Sequence, residues 1–81
     1  MMTPAEAANK VKETQGYEWV LSVKDYDAQH YVVQAYPKKG KLSIGVQTSF
    51  GVDKNTGAVT AFMVNQGNNF DKLRNAKDCE F

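Results

Sequence analysis

A chain of 81 residues has room for one hydrophobic core and not for two, at a size where roughly 60% of the unfolded surface is buried on folding. Its 42% hydrophobic and 23% charged residues exclude wholesale disorder, and no apolar run approaches the roughly 20 residues that cross a bilayer. Ten basic against nine acidic side chains leave a formal net charge of +1, so no whole-molecule field draws nucleic acid or anionic lipid, and any basic site must be local.

The first predicted element is a helix. Thr3 stands as N-cap, Pro4 as first helical residue and Glu6 three places after Thr3, a capping box, and Gly16 closes the segment. Ala5, Ala8, Val11 and Gln15 give a narrow stripe of mostly small side chains, suited to close packing on a sheet. From Tyr17 the period changes to two: Trp19, Leu21 and Val23 alternate with Glu18, Ser22 and Lys24, interrupted by Val20 on the polar side. Asp25-Tyr26-Asp27-Ala28 reads as a turn, and His30 to Tyr36, rich in aromatic and β-branched residues, as a second strand that Pro37 ends.

A basic turn, Lys38-Lys39-Gly40-Lys41, precedes the longest strict alternation, Leu42, Ile44, Val46, Thr48, Phe50 and Val52. Asp53-Lys54-Asn55-Thr56-Gly57 then reverses the chain: the Asp accepts from amides ahead of it and the Gly is free to take positive φ. With Lys54 to Gly57 as the loop, Val52 faces Val59. That register sends Val59, Ala61 and Met63 toward the core of Phe50, and Phe62 and Val64 to the other face, with Phe62 opposite Ser49 and diagonal to Gly51. After the polar break Gln66-Gly67-Asn68-Asn69, the spacing of Phe70, Leu73 and Ala76 predicts a short helix capped by Asn69, placed to cover that second patch.

The expected fold is therefore α+β: an N-terminal helix packed on a four-stranded antiparallel meander, then a short C-terminal helix, in one domain spanning residues 1–81. Tyr31-Val32-Val33 in the second strand and the pattern V-D-x-x-T-G-x-V from Val52 to Val59, behind an N-terminal helix, resemble a PepSY-like domain over about three quarters of the chain. The resemblance implies a non-catalytic module that binds or inhibits a partner, beside peptidases or at the cell envelope, and it brings no motif of functional residues.

Chemistry is sparse in the residues. His30 and Cys79 are the sole members of any Cys-His pair, and neither lies in a nucleophile turn; Cys79 is expected near a frayed terminus. Asp25 and Asp27 are accounted for by turn formation. One cysteine allows no internal disulfide, and one His with one Cys makes no structural zinc site. The loop from Asp53 fails as a helix-loop-helix calcium site, since Gly57 falls one position early and Val64 stands where the bidentate Glu belongs. The expectation is no catalysis, no cofactor and no metal.

The leading expectation is a protein-binding or inhibitory module acting through a sheet face or edge, with Tyr17, Tyr26, Tyr36 and Phe62 as candidate anchors. The first alternative is a weak nucleic-acid or phosphate binder using Lys38, Lys39 and Lys41 beside Tyr36, joined by Lys24 or Lys54. The second is a phage or mobile-element protein that occupies and inhibits a host factor. The expected partner is another protein and not a membrane, the expected state a monomer or weak homodimer. The expected location is cytoplasmic, in the absence of an export signal, unless the domain is excised from an exported protein.

Overall fold

The computed structural model describes residues 2–37 and 47–81. Helix α1, Pro4–Gln15, begins as its sequence dictates: Thr3 Oγ1 accepts from the Glu6 amide (3.2 Å), Glu6 Oε1 accepts from the Thr3 amide (2.8 Å), and Gly16 ends the helix at φ 69°. The buried face is Ala7, Ala8 and Val11, whereas Ala5 and Gln15 are exposed. The predicted stripe is thus rotated, with Ala7 in place of Ala5 and Gln15. Alanines at the contact let it approach closely.

The sheet carries the expected four-stranded meander, β1 (Trp19–Asp25), β2 (His30–Tyr36), β3 (Ser49–Asp53) and β4 (Val59–Ala61), and a fifth strand, β5 (Lys77–Cys79). All neighbours are antiparallel, in the order β4-β3-β2-β1-β5. The final residues are therefore not a frayed end: Val23 pairs with Cys79 and Asp25 with Lys77. The part of the third strand expected over Leu42, Ile44 and Val46 lies outside the described residues, as do Lys38, Lys39 and Lys41.

The inner face, against α1, gathers Val20, Val23, Tyr31, Val33, Ala35, Phe50 and Val52 over Ala7, Ala8 and Val11, with Met2, Tyr17, Val59 and Cys79 at its margin. Val23, Val33 and Val52 are fully buried, about 1.5–3 kcal/mol each relative to exposure. Strand β1 corrects the alternation read from sequence. Its register shifts between Val20 and Ser22, so that Val20 opposes Ala35 and Ser22 opposes Gln34, with Leu21 as the extra residue. The bulge inverts the phase: Val20 joins the core, Leu21 is 47% exposed, and Trp19 stands on the outer face with Tyr36, ring centroids 5.6 Å apart.

The central hairpin has the predicted register, Val52 with Val59 and Phe50 with Ala61, and the Phe62 amide donates to the Ser49 carbonyl (2.9 Å). In its turn Asp53 Oδ1 accepts from the Asn55 and Thr56 amides (2.8 and 2.9 Å), and Gly57 takes φ 77°. Met63 does not continue toward the core: β4 ends at Ala61, the chain turns away, and Met63 is 44% exposed.

Helix α2, Asn69–Asn75, has Asn68 rather than Asn69 in the cap position, with no side-chain cap bond. Asn69 lies inside the first turn, and its side chain bridges elsewhere: Nδ2 donates to the Met63 carbonyl (2.8 Å), and Oδ1 accepts from the Tyr26 hydroxyl (3.4 Å). Leu73 is buried, but Phe70, expected beside it, is 56% exposed, with the Arg74 guanidinium 6.0 Å from its ring centroid. Seven residues give one buried stripe only one full anchor. Among the described residues no helix is long and apolar enough to cross a membrane.

Candidate functional site on the outer face of the sheet

On the side away from α1, strand alternation places His30, Val32, Gln34 and Tyr36 of β2 beside Ser49, Gly51 and Asp53 of β3. Val32 is 1% exposed and packs where Gly51 supplies no side chain; a Cβ there would stand 3.4 Å from Thr60 Oγ1. Above this floor Tyr26 from the β1–β2 turn meets Phe62 edge to face, ring centroids 5.1 Å apart. The result is a cleft of about 240 Å³, floored by Val32 and Gly51 and walled by Phe62, Tyr26 and Asn69, with Asp27, His30 and Thr60 completing it. That volume falls below the roughly 300–1,000 Å³ of pockets for drug-sized ligands, and suits a single side chain.

The polar groups of the cleft are organised by the turn. Asp27 Oδ1 accepts from the Gln29 amide (2.8 Å), the His30 amide (2.7 Å) and His30 Nδ1 (3.1 Å) in the tautomer that carries its proton there. Desolvation pushes the Asp27 carboxyl up, but these hydrogen bonds outweigh it and hold the group below the ordinary aspartate value. Asp53, paired with His30 across β2 and β3, is held low by the Thr56 and Asn55 amides. Both carboxylates are ionised at neutral pH.

Beneath the same turn Lys54, 7% exposed, donates from Nζ to Asp25 Oδ1 and to the Asp27 carbonyl (2.8 Å), with the Tyr31 ring 4.8 Å away. The hydrogen bond to Asp25 raises the lysine above its ordinary value against the desolvation that lowers it. Lys54 is therefore a clamp between the two hairpin turns, its ammonium committed to Asp25 and the Asp27 carbonyl. Lys24 likewise belongs to Asp78, at 2.7 Å across β1 and β5.

The four candidate anchors are divided. Tyr26 and Phe62 meet in the cleft, and Phe62 also lines a second depression of about 210 Å³ with Gln47, Ser49 and Met63. Tyr36 shares the outer face but pairs with Trp19. Tyr17 belongs to the inner side, edge-on to Phe50 at 5.5 Å, its hydroxyl donating to the Gln47 carbonyl (2.6 Å). Cys79 packs against the inner core and His30 lines the outer cleft, so the sheet separates thiol from imidazole. Asp25 and Asp27 are engaged by Lys54 and by the turn. No group of three or more His, Cys, Asp or Glu side chains able to hold a metal ion occurs among the described residues.

Sequence reading set Phe62 diagonal to Gly51 and the C-terminal helix over that patch, but missed Tyr26 and His30 as their companions, because the β1–β2 turn that brings them is distant in the chain. The one available signal was the bare Gly51 between bulky neighbours, which marks a hollow on that face. No protein-family model, curated protein or solved structure matches this chain.

Proposed function

We propose that this chain is a non-catalytic protein-binding or inhibitory module, that it works through the outer face of its sheet, and that the cleft beside α2 receives one side chain of the partner. The observation that carries this reading is the asymmetry of the two faces: the inner is sealed by α1, while the outer keeps a concave aromatic and polar hollow. Phe62, bordering both depressions, has the large, stiff contact surface typical of an interface anchor. The PepSY-like pattern from Val52 to Val59 supports the same class of function. Phosphate-bearing ligands suit this face poorly, because Asp27 and Asp53 repel them.

Affinity capture with the wild-type chain, Phe62→Ala, Tyr36→Ala and the α1 surface variant Lys12→Ala tests the assignment. A protein retained by wild type and Lys12→Ala should be lost or weakened roughly ten-fold or more by Phe62→Ala, the size of effect an anchor carries. Equal capture by all four chains would count against the outer face.

A further inference from the structure

We infer that the outer cleft recognises a cationic side chain, lysine or arginine, presented by a basic peptide segment of a protein partner. The inference rests on the protein-binding reading above and names what the cleft selects.

Its basis is the hydrogen-bonding capacity the cleft leaves unspent. Most donors of its walls are committed within the chain: one Asn69 Nδ2 hydrogen to the Met63 carbonyl, the Tyr26 hydroxyl to Asn69, and His30 Nδ1 to Asp27, which leaves the second Asn69 hydrogen. The acceptors are not. Asp27 Oδ1 is saturated by three N–H groups, but Oδ2 has only His30 Nδ1, at 3.4 Å, among the described residues. With its proton on Nδ1, His30 offers Nε2 as a second acceptor. Thr60 contributes a hydroxyl that either gives or takes. The unspent capacity is mainly that of acceptors, the only charged one being Asp27 Oδ2, and it favours an occupant that brings donors.

Charge and aromaticity select among donors. Among the described residues no lysine or arginine lines the cleft, and the one carboxylate there is flanked through His30 by that of Asp53. Two cations near the cleft among the described residues are engaged: Lys54 by Asp25 and the Asp27 carbonyl, and Lys72 over the Tyr26 ring, its Nζ 4.9 Å from the centroid. That contact shows the Tyr26 ring already serving as a surface for an ammonium group. Phe62, edge to face with Tyr26, and the buried Val32 provide the apolar lining along which a lysine or arginine stem lies while its head reaches Asp27. A guanidinium or ammonium against a carboxylate with unused lone pairs makes the stronger, charge-assisted kind of hydrogen bond.

The test is an amide-resolved NMR titration of isotope-labelled chain with capped Gly-X-Gly tripeptides, X being lysine, arginine, norleucine or glutamate, and with n-butylammonium. Lysine and arginine peptides should shift the amides of Tyr26, His30, Gly51 and Asn69, and bind roughly ten-fold tighter than norleucine, the share a hydrogen bond to a charged group carries. Asp27→Asn keeps an oxygen for the Gln29 and His30 amides and should abolish that preference. If the substitution disturbs the fold, the contrast of lysine with norleucine on the unaltered chain decides alone. Equal binding of norleucine, preference for glutamate, or no shift from the basic peptides overturns cation recognition. Capture lost in Phe62→Ala would, in each of those cases, still leave the outer-face interface standing. Butylammonium binding as tightly as the lysine peptide overturns the peptide as the source of the cation.

Discussion

Lys54 shows how far a single residue's role depends on what the fold brings to it. In the sequence it is the second residue of a turn, where an exposed lysine is ordinary. In the structure its amide donates to the Gln29 carbonyl (2.7 Å), its carbonyl accepts from the Met2 amide (2.8 Å), and its ammonium holds Asp25 and the Asp27 carbonyl. One residue thus joins the N-terminus and both hairpin turns. Lys54→Met keeps a side chain of similar apolar length and removes the donors, so a loss of about 1–2 kcal/mol is expected in chemical denaturation at pH 7. The lysine's folded pKa lies above its ordinary 10.5, so this stabilisation is complete below that pH and fades as pH rises through the folded value. Wild type and Lys54→Met should therefore converge in stability only in strongly alkaline solution, and a gap that stays constant there would show that the charge plays no part.

Among the elements, α2 is held least securely. An isolated helix of seven residues is far too short to persist in water, and its inward attachments are Leu73, the Asn69 bridge and Lys72 on Tyr26. Strand β2, by contrast, is paired on both sides and has Val32, Val33 and Ala35 at no more than 1% exposure. Amides of residues 72–75 should exchange with deuterium at least ~100-fold faster than those of residues 32–35, since local opening of α2 leaves the core intact. Leu73→Ala should accelerate α2 further without changing β2, and equal protection of the two elements would show that α2 is part of the core. Because α2 forms one wall of the cleft, a loosened helix should also weaken ligand binding there. The elements differ in how readable they were. Helix α1 carries every local signal of its ends, and β2 has the expected bounds, whereas β5 has neither alternation nor branched side chains and exists because the edge of β1 was open to it.

At the scale of the whole molecule, stability should be lost on the acid side. Glu6, Asp27 and Asp53 are all held below their ordinary values by hydrogen bonds they accept in the folded chain, from the Thr3 amide for Glu6 and from the turn amides for the two aspartates. A depressed carboxyl stabilises the fold above its unfolded pKa, here the ordinary 4.5 for Glu6 and 3.8 for the aspartates, and that contribution disappears as pH falls through the lower folded values. Thermal melts should show a plateau above about pH 5 and a declining Tm below pH 4, with Asp53→Asn less steep than wild type. A Tm that does not change between pH 6 and pH 3 would mean that these caps and turns contribute nothing through their charge.

Local signals decided much of this protein: the capped start and glycine stop of α1, the bounds of β2, and the hairpin register from Val52 to Val59, because each depends on backbone preferences and hydrogen bonds among residues close in sequence. Packing decided the rest. The bulge at Leu21 that exchanges core and surface in β1, the recruitment of Lys77–Cys79 as an edge strand and the burial of Lys54 all arise from partners up to 56 residues away. The cleft combines both kinds: the hairpin register sets Phe62 beside Gly51, whereas Tyr26, Asp27 and His30 reach the same hollow only through the pairing of β2 with β3 and the packing of the β1–β2 turn.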